Sequence, residues 1–267
     1  MSVAISAGLV KELRDQTGAG MMDAKRALVD AGGDIEEART LLRERGMASA
    51  AKREGRETAE GIVLLKTGEG RGSLVAVGCE TEPVSKNEEF RAFAQRVLDA
   101  AFSTYFRAQE DELKEQQNEL IAKIGENIAM TGVVTFEAVD GGVIEGYVHP
   151  PANKLGALVQ LRGGDVELAR KLAMHIVWSD PRWIAREDAP QDLIEAEREI
   201  YLNSDEVQSK PEQAREKIVE GMMNKRFFAE RGGALLDQPW IHDSSQTVAQ
   251  ALGGAEVLEF RRFALAG

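Results

Sequence analysis

The 267-residue sequence contains a single cysteine, Cys79. One thiol cannot form a disulfide framework, and we therefore expect the protein to work in a reducing compartment. Residues 1–6 lack the basic stretch and the long apolar stretch of a secretory signal peptide. No apolar run approaches the roughly 20 residues that span a bilayer. Together these absences predict a cytoplasmic protein without membrane contact.

Basic residues are also fewer than acidic ones. The sequence has 33 Lys and Arg residues against 45 Asp and Glu residues, and its net charge at pH 7 is −12. A surface of this sign repels phosphate backbones, so we expect no direct binding of nucleic acid. The charge is compatible with docking on a basic patch of a partner protein. A hydrophobic content of 43% is enough to bury a core in one large domain or in two to three small ones.

The residue patterns of a catalytic or metal site are missing. The histidines, His149, His175 and His242, lie far apart, and no His-x-x-x-His or Cys-x-x-Cys pair indicates a metal. No Gly-x-Ser-x-Gly elbow is present for nucleophilic catalysis. We therefore expect no enzyme activity, no metal and no cofactor. His175 lies on an apolar helical face, which favours a hydrogen-bonded core histidine. The position of Cys79 after a strand favours a buried structural thiol.

A glycine run at residues 68–72, Gly-Glu-Gly-Arg-Gly, has some likeness to a phosphate-binding loop. No helix follows it, and the Gly-Lys-Ser/Thr sequence of such loops is absent. A hairpin turn between strands at 61–66 and 73–78 is the better interpretation.

The first 47 residues have the pattern of three short helices. The first ends at Thr17 and Gly18, the second begins near Met21, and the third has Asp34 as its N-cap and ends at Gly46. Residues 48–60 are small and charged, which is typical of a linker or an exposed helix.

Beyond residue 60 strands and helices mix irregularly, which indicates the α+β class and not a doubly wound parallel sheet. Two amphipathic stretches broken at Ser209-Lys210-Pro211 predict an antiparallel helical hairpin. Turns are expected at 140–142 and 150–153. Helices are predicted at 88–102, 111–129, 166–178, 191–208, 212–230 and 248–252, and strands at 131–138, 143–149, 155–162 and 256–263.

Several segments in order resemble the elongation factor Ts family, and together they cover almost the whole chain. The N-terminal signature is VKELRDQTGAGMMDAKRAL at residues 10–28. The others are Gly125-Glu126-Asn127-Ile128, Tyr147-x-His149 with 155–159, Met174-His175-Ile176, Lys210-Pro211-Glu212, 217–221, Leu236-Asp237-Gln238-Pro239 and Phe260-Arg261-Arg262-Phe263.

The resemblance implies a fold and a function. Members of this family are guanine nucleotide exchange factors, which bind elongation factor Tu after GTP hydrolysis and release its GDP. The implied fold is an N-terminal three-helix bundle like a ubiquitin-associated (UBA) domain, a two-part α+β core with antiparallel sheets, and an inserted helical hairpin. The implied domains are a UBA-like N-domain at 1–47, a linker at 48–60, a core N-subdomain at 61–140, a core C-subdomain at 141–180 and 230–267, and the hairpin at 181–229. A homodimer in some assemblies stays open.

Four residues match partner contacts of the family. The resemblance implies that Arg14, Met21 and Met22 touch the nucleotide-binding domain of elongation factor Tu, and that the hairpin around His149 grips a second part of it. Neighbouring helical residues point about 100° apart, so at least one of the two methionines should be partly exposed. The alternative is that both cap the core of the small bundle.

Thr81-Glu82-Pro83-Val84 occupies the place of the family's Thr-Asp-Phe-Val loop, which approaches the magnesium site of the partner. Glu82 keeps the charge with one more methylene, whereas Pro83 is far smaller than phenylalanine and has no aromatic ring. The resemblance implies that the family's phenylalanine wedges between helices of the partner near this site. One interpretation is an exchange loop in which Pro83 alters that wedge. The alternatives are a family member with reduced exchange activity that mainly binds its partner, or an ordinary strand-to-helix loop.

Two further functions compete with nucleotide exchange. The N-terminal helices alone would also suit an adaptor for ubiquitin-like proteins, and the acidic surface would suit an enzyme acting on a small molecule. The first leaves most of the chain without a role, and the second requires a pocket with converging titratable groups.

Overall fold

The structure is a computed structural model that describes residues 5–68, 70–139 and 141–265. Three features of the sequence analysis involve residues outside these ranges: Glu69 in the glycine-rich turn, Asp140 in the turn at 140–142, and residues 1–4 of the N-terminal stretch.

The described residues form helices and strands that are mixed along the chain. The helices are α1 Ala7–Thr17, α2 Met21–Asp30, α3 Ile35–Arg53, α4 Glu82–Ser85, α5 Glu88–Phe102, α6 Phe106–Ile124, α7 Val166–Ser179, α8 Gln191–Leu202, α9 Asp205–Gln208, α10 Glu212–Met222 and α11 Val248–Ala251. The strands are β1 Glu60–Gly68, β2 Arg71–Cys79, β3 Ile128–Glu137, β4 Gly142–Val148, β5 Leu155–Arg162, β6 Pro239–Trp240, β7 Asp243–Thr247 and β8 Glu256–Ala264. This mixture confirms the predicted α+β class.

The chain divides into two compact units. Unit 1 comprises Met1–Leu64, Val75–Val133 and Ala264–Gly267, and unit 2 comprises Leu65–Leu74 and Val134–Phe263. The boundaries predicted at residues 47, 60, 140, 180 and 229 separate smaller pieces and stay predictions, as does the UBA-like character of the first helices.

The caps predicted at Asp34 and Gly18 are present. Asp34 accepts the Glu37 N–H at 3.0 Å, and Ser6, which was not predicted as a cap, accepts the Leu9 N–H with its hydroxyl at 3.1 Å. Gly18 ends α1 in the left-handed conformation, with a φ of 68°. A small apolar core joins the three helices, made of Val10, Leu13, Ala24, Ala27, Leu28, Ala31 and Ala38.

The predicted end of the third helix at Gly46 is wrong, because α3 continues to Arg53. The reason lies in packing. A Cβ atom placed on Gly46 would lie 2.9 Å from the Cβ of Ala122, so the glycine lets α3 approach α6 closely. An ion pair between Arg43 and Glu115 joins the same two helices. Residues 48–53 are therefore helical, as one alternative predicts, but Ala50 among them is buried in the unit 1 core.

Unit 1 is built on a helical layer and parts of the sheet with order β1-β2-β3. Its core contains Val75, Val77, Phe90, Phe93, Val97 and Ile128. Helix α5 has its predicted bounds, and Asn87 caps it by accepting the Glu89 and Phe90 N–H groups. The helix predicted at 111–129 lies earlier, at Phe106–Ile124. Gly125, with a φ of 85°, ends it and residue 128 already begins β3.

Unit 2 contains the sheet with order β4-β5-β8. Strands β4 and β5 pair antiparallel, with Tyr147 opposite Ala157. The apolar face of α7 packs on β4 and β5, through residues such as Leu172 and Ile176. The short pair β6–β7 is absent from the sequence prediction, because strands of two and five residues give no readable alternation. All of the chain's tryptophans, Trp178, Trp183 and Trp240, lie in unit 2.

The helical stretches at 191–230 form a separate apolar cluster in unit 2. It contains Val207, Val219, Met222, Met223, Phe227 and Phe228. The break at Pro211 is confirmed, but the first stretch is interrupted after Leu202 and the second ends as a π-helix, Met223–Phe228. Helices α8 and α10 contact each other, and Arg198 pairs with Glu216. The antiparallel arrangement stays a prediction.

Candidate functional site

The segment predicted to be a loop at 81–84 is in fact an extended residue followed by one helical turn. Thr81 has φ and ψ of −129° and 152°, and α4 follows directly. Pro83 is the second residue of this turn. The first N–H groups of any helix have no intrahelical acceptor, so the missing N–H of proline costs no hydrogen bond there. We call residues 81–85 the Thr81 turn.

The tip of the Thr81 turn faces solvent and its end is anchored. Thr81, Glu82 and Pro83 are exposed, whereas Val84 is half-buried and packs against the unit 1 core. The Glu82 carboxylate lies 2.8 Å from Lys86 Nζ, and both side chains are 65% exposed. An ion pair this exposed is weak and can open when a partner binds. The turn thus presents a carboxylate and a pyrrolidine ring outward.

The base of the Thr81 turn is held by a segment that is distant in sequence. Glu126 accepts the Thr81 N–H at 3.0 Å with Oε2 and the Thr81 hydroxyl at 2.7 Å with Oε1. In return, Glu80 Oε1 accepts the backbone N–H of Asn127 at 2.6 Å. The side-chain amide of Asn127 donates to the Arg56 carbonyl at 2.8 Å.

Sequence reasoning did not assign a role to Glu80, Glu126 or Asn127. The only signal was the presence of Glu126 and Asn127 in one of the matching segments, because hydrogen bonds across 45 or more residues leave no local pattern. Cys79 is buried, and its Sγ donates to the Thr81 carbonyl at 3.3 Å, which confirms the predicted structural thiol.

The predicted contact residues of the N-terminal helices are exposed. Met21 and Met22, the first two residues of α2, are 61% and 62% exposed. The prediction that at least one methionine is exposed is confirmed, and the alternative that both cap the core is wrong. Arg14 is also exposed and lies in the last turn of α1. These unbranched thioethers are adaptable apolar contacts for a partner.

Within unit 1, Lys123 lies between the α1–α2 turn and the start of α5. A Cβ atom on Gly18 would lie 2.7 Å from Lys123 Cε, and Lys123 Nζ lies 2.7 Å from Glu89. Helix α5 begins shortly after the Thr81 turn. Its N-cap residue Asn87 donates its N–H to the Val84 carbonyl in that turn at 3.0 Å. The structure therefore connects the turn before Met21 to the end of the Thr81 turn through contacts of Lys123 and Glu89.

A groove of about 1280 Å³ with many charged residues along it lies between helices α1, α2, α3, α5 and α6 of unit 1. Charged side chains along it pair with each other, as Arg26 does with Asp23 and Arg45 with Asp30. Among the residues that the structure describes, no group of three or more His, Cys, Asp or Glu side chains is placed to hold a metal ion.

His149 lies in unit 2, in the turn that joins β4 to β5. Its N–H donates to the Leu155 carbonyl at 2.8 Å, and its ring Nδ1 lies 3.0 Å from the Tyr147 hydroxyl. The side chain is exposed. The turn therefore offers an oriented imidazole on the surface of this unit.

His175 is fully buried, which confirms the prediction of a hydrogen-bonded core histidine. Its Nε2 lies 3.0 Å from Gln238 Oε1, and its Nδ1 accepts the Ile241 N–H at 3.4 Å. The Gln238 amide nitrogen donates to the Ser179 and Glu230 carbonyls, which turns its oxygen toward the histidine. The ring is therefore neutral with its proton on Nε2. Burial lowers the pKa of His175, and the bond to Gln238 opposes that shift.

Within the described ranges, every helix is too short or too polar to cross a membrane.

Comparison with known proteins places these features in a family. The family model described as Elongation factor TS matches residues 80–267, which begin at the base of the Thr81 turn. The chain is 40% identical to the elongation factor Ts of Idiomarina loihiensis, over 98% of this chain and 91% of the relative. It is 41% identical to the elongation factor Ts of Cronobacter sakazakii, over 97% and 90%. For that of Pasteurella multocida the values are 41%, 97% and 91%.

Proposed function

The chain belongs to the elongation factor Ts family of translation elongation factors, and we propose that it is a guanine nucleotide exchange factor for elongation factor Tu. The observation that carries the proposal is the Thr81 turn, which is fixed at its base by Glu126 and exposed at Glu82 and Pro83. An outward carboxylate on a turn with a fixed base can act on a partner's ion site without a catalytic centre in the factor itself.

In the proposed mechanism, binding of this protein displaces GDP from elongation factor Tu. Glu82 brings negative charge toward the magnesium shell that holds GDP on the partner, and the ion's own charge makes that shell sensitive to it. Arg14, Met21 and Met22 bind the nucleotide-binding domain, and the turn of His149 binds a second region. Because it binds at two places, the factor can have a higher affinity for a distorted conformation of the GTPase than for the nucleotide-bound conformation. No covalent bond is made or broken.

The alternative is a family member with reduced exchange activity that mainly binds elongation factor Tu. The observation that supports it is Pro83, whose small exposed ring has much less volume than a phenylalanine side chain. Because Pro83 lies in the first turn of α4, where no N–H partner is required, phenylalanine can be placed there without changing the backbone hydrogen bonds.

A GDP-release experiment tests the proposal. Fluorescent GDP bound to elongation factor Tu is mixed with this protein and excess unlabelled nucleotide. We expect release to accelerate roughly a hundredfold, since a coupling of a few kcal/mol changes nucleotide affinity by that order. No acceleration at micromolar factor defeats the exchange proposal. A stable complex without acceleration supports the alternative.

The double variant Glu82→Asp with Pro83→Phe tests the effect of the aromatic ring, because the negative charge at residue 82 is kept. We expect it to release GDP faster than the natural chain if aromatic volume limits the rate. Val166→Phe is the control. Val166 is 57% exposed and lies in unit 2, so this variant adds a surface ring away from the Thr81 turn. An unchanged rate in the double variant shows that the ring is not rate-determining here.

An adaptor for ubiquitin-like proteins would use the N-terminal helices and leave the family region 80–267 without a role. Affinity capture from a bacterial lysate distinguishes the two, because the exchange proposal expects elongation factor Tu as the main partner.

A further inference from the structure

We infer that Glu126 is the positioning residue of the Thr81 turn, which holds Glu82 and Pro83 at the height and angle needed for GDP release. This inference rests on the proposed function and extends it to a residue outside the exposed turn. Glu126 makes no contact with the partner in this view and acts through Thr81.

The hydroxyl of Thr81 carries the first argument. Threonine at the N-cap of a helix normally accepts an N–H of the first turn with its side chain. Thr81 is the N-cap of α4, yet its hydroxyl makes no such bond. It donates instead to Glu126 Oε1, while the Thr81 N–H donates to Oε2 of the same carboxylate. Both donors of Thr81 thus serve the connection to Glu126.

The position of Glu126 carries the second argument. It lies between Gly125, which ends α6, and Asn127, which is 6% exposed and directly precedes the fully buried Ile128 at the start of β3. The backbone on both sides is therefore fixed by the fold of unit 1. A half-buried carboxylate on a fixed backbone is a rigid acceptor, and hydrogen bonds to a charged group are stronger than neutral ones.

The reciprocal bond carries the third argument. Glu80 accepts the Asn127 N–H at 2.6 Å and lies 3.4 Å from Arg56 Nη1. Residues 80 and 81 are therefore tied to residues 126 and 127 from both sides. Glu126 accepts from both donors of Thr81, whereas the Glu80 bonds stop one residue earlier and the Cys79 thiol reaches only the Thr81 carbonyl. Loss of Glu126 should free the Thr81 N–H and hydroxyl while the β2 end stays in place.

The test compares Glu126→Ala with Glu126→Gln. Alanine removes both acceptors. We expect the rate of GDP release at saturating factor to fall by roughly fivefold or more, because the turn then occupies its productive position for a smaller fraction of the time. Affinity for nucleotide-free elongation factor Tu should change less, since Arg14, Met21, Met22 and His149 are untouched. Glutamine accepts the Thr81 N–H with its oxygen and donates to the hydroxyl, so we expect a rate within about twofold of the natural chain.

A readout on the free protein makes the result independent of exchange. Hydrogen exchange of the Thr81 amide should accelerate in Glu126→Ala and stay slow in Glu126→Gln. Should alanine destabilise unit 1 as a whole, Thr81→Val against Thr81→Ser repeats the amide-exchange comparison from the other side of the bond, on the free protein alone because residue 81 belongs to the proposed exchange turn. Glu119→Ala is the matched control, because Glu119 is exposed on α6 and has no hydrogen-bond or ion-pair partner among the described residues.

The outcomes separate the two proposals. If the natural chain releases no GDP, the exchange function fails, and Thr81 protection still decides whether Glu126 holds the turn. If the natural chain is active and Glu126→Ala matches it in rate and amide protection, the positioning role is overturned. If glutamine behaves as alanine does, hydrogen bonds from residue 126 to Thr81 do not hold the turn, which also contradicts the inference.

Discussion

At the scale of single residues, His175 shows how burial decides the state of an ionisable group. Its ring is neutral, bonded on both nitrogens, and stacked on Trp240 with centroids 5.3 Å apart. Protonation would put a second proton on Nδ1, which now accepts the Ile241 N–H, and the charge would be far from water. The folded state therefore binds this proton less readily than the unfolded chain does.

This difference predicts a dependence of stability on pH. The folded pKa of His175 lies below the ordinary value of 6.5. The unfolded state then binds more protons as pH falls below 6.5, so the free energy of unfolding drops there by at most about 1.4 kcal/mol per pH unit. Above 6.5 both states are neutral and the contribution is complete.

The measurement is urea unfolding at pH 7.5 and 5.5, followed by tryptophan fluorescence, which reports unit 2. His175→Gln cannot titrate, so the stability advantage of the natural chain over this variant should shrink at the lower pH. An advantage that is equal at both pH values contradicts the assignment of a neutral buried ring.

At the scale of elements, Gly46 shows where sequence reasoning reached its limit. Caps are local signals, so Ser6, Asp34 and Asn87 act at their helices as their types predict. Glycine has two uses, as a helix end and as a contact point, and only the partner helix distinguishes them. Gly18 ends a helix, whereas Gly46 lies inside one because Ala122 of α6 passes over it.

The packing role of Gly46 predicts an unusual outcome for Gly46→Ala. Alanine is favoured over glycine inside a helix by about 1 kcal/mol. At Gly46 the new methyl group would lie 2.9 Å from Ala122 Cβ, and such overpacking costs about 1–3 kcal/mol. We expect a net loss of roughly 1 kcal/mol in the free energy of unfolding, measured by circular dichroism.

Gly221→Ala is the control for this prediction. Gly221 lies in α10, is exposed, and has no neighbour within 4 Å of an added Cβ, so its variant should gain stability. Combining Gly46→Ala with Ala122→Gly should recover part of the loss. If Gly46→Ala is as stabilising as Gly221→Ala, the close contact of α3 and α6 is not present in solution.

At the scale of the whole molecule, α+β class and the order of most elements follow from periodicity, and family membership follows from ordered segments. Only part of the candidate site could be predicted from the sequence. Exposure of at least one of Met21 and Met22 was predictable, because two adjacent helical residues point about 100° apart. The hydrogen bonds between Glu126 and Thr81 could not be predicted, because the two residues are 45 positions apart and come together only in the complete fold.

The proposed function makes a quantitative prediction about the complete complex. Linkage requires that the factor by which this protein weakens GDP binding equals the factor by which GDP weakens binding of this protein. Titrations of elongation factor Tu with this protein, with and without GDP, should match titrations with GDP, with and without the protein. Unequal factors would mean that the titrations had not reached equilibrium, and a factor of one in both directions would contradict the proposed exchange function. Two independent species in gel filtration, even without nucleotide, would remove the premise.

The burial of Cys79 has a practical consequence for spectroscopy. Because the only native thiol is enclosed in the core, a thiol introduced at Pro83 or Met22 would be the one that a maleimide dye reaches in the folded chain. The same background therefore permits a single fluorophore at either proposed contact. Energy transfer to a labelled GTPase could then time the arrival of each contact separately, without removing a native side chain elsewhere.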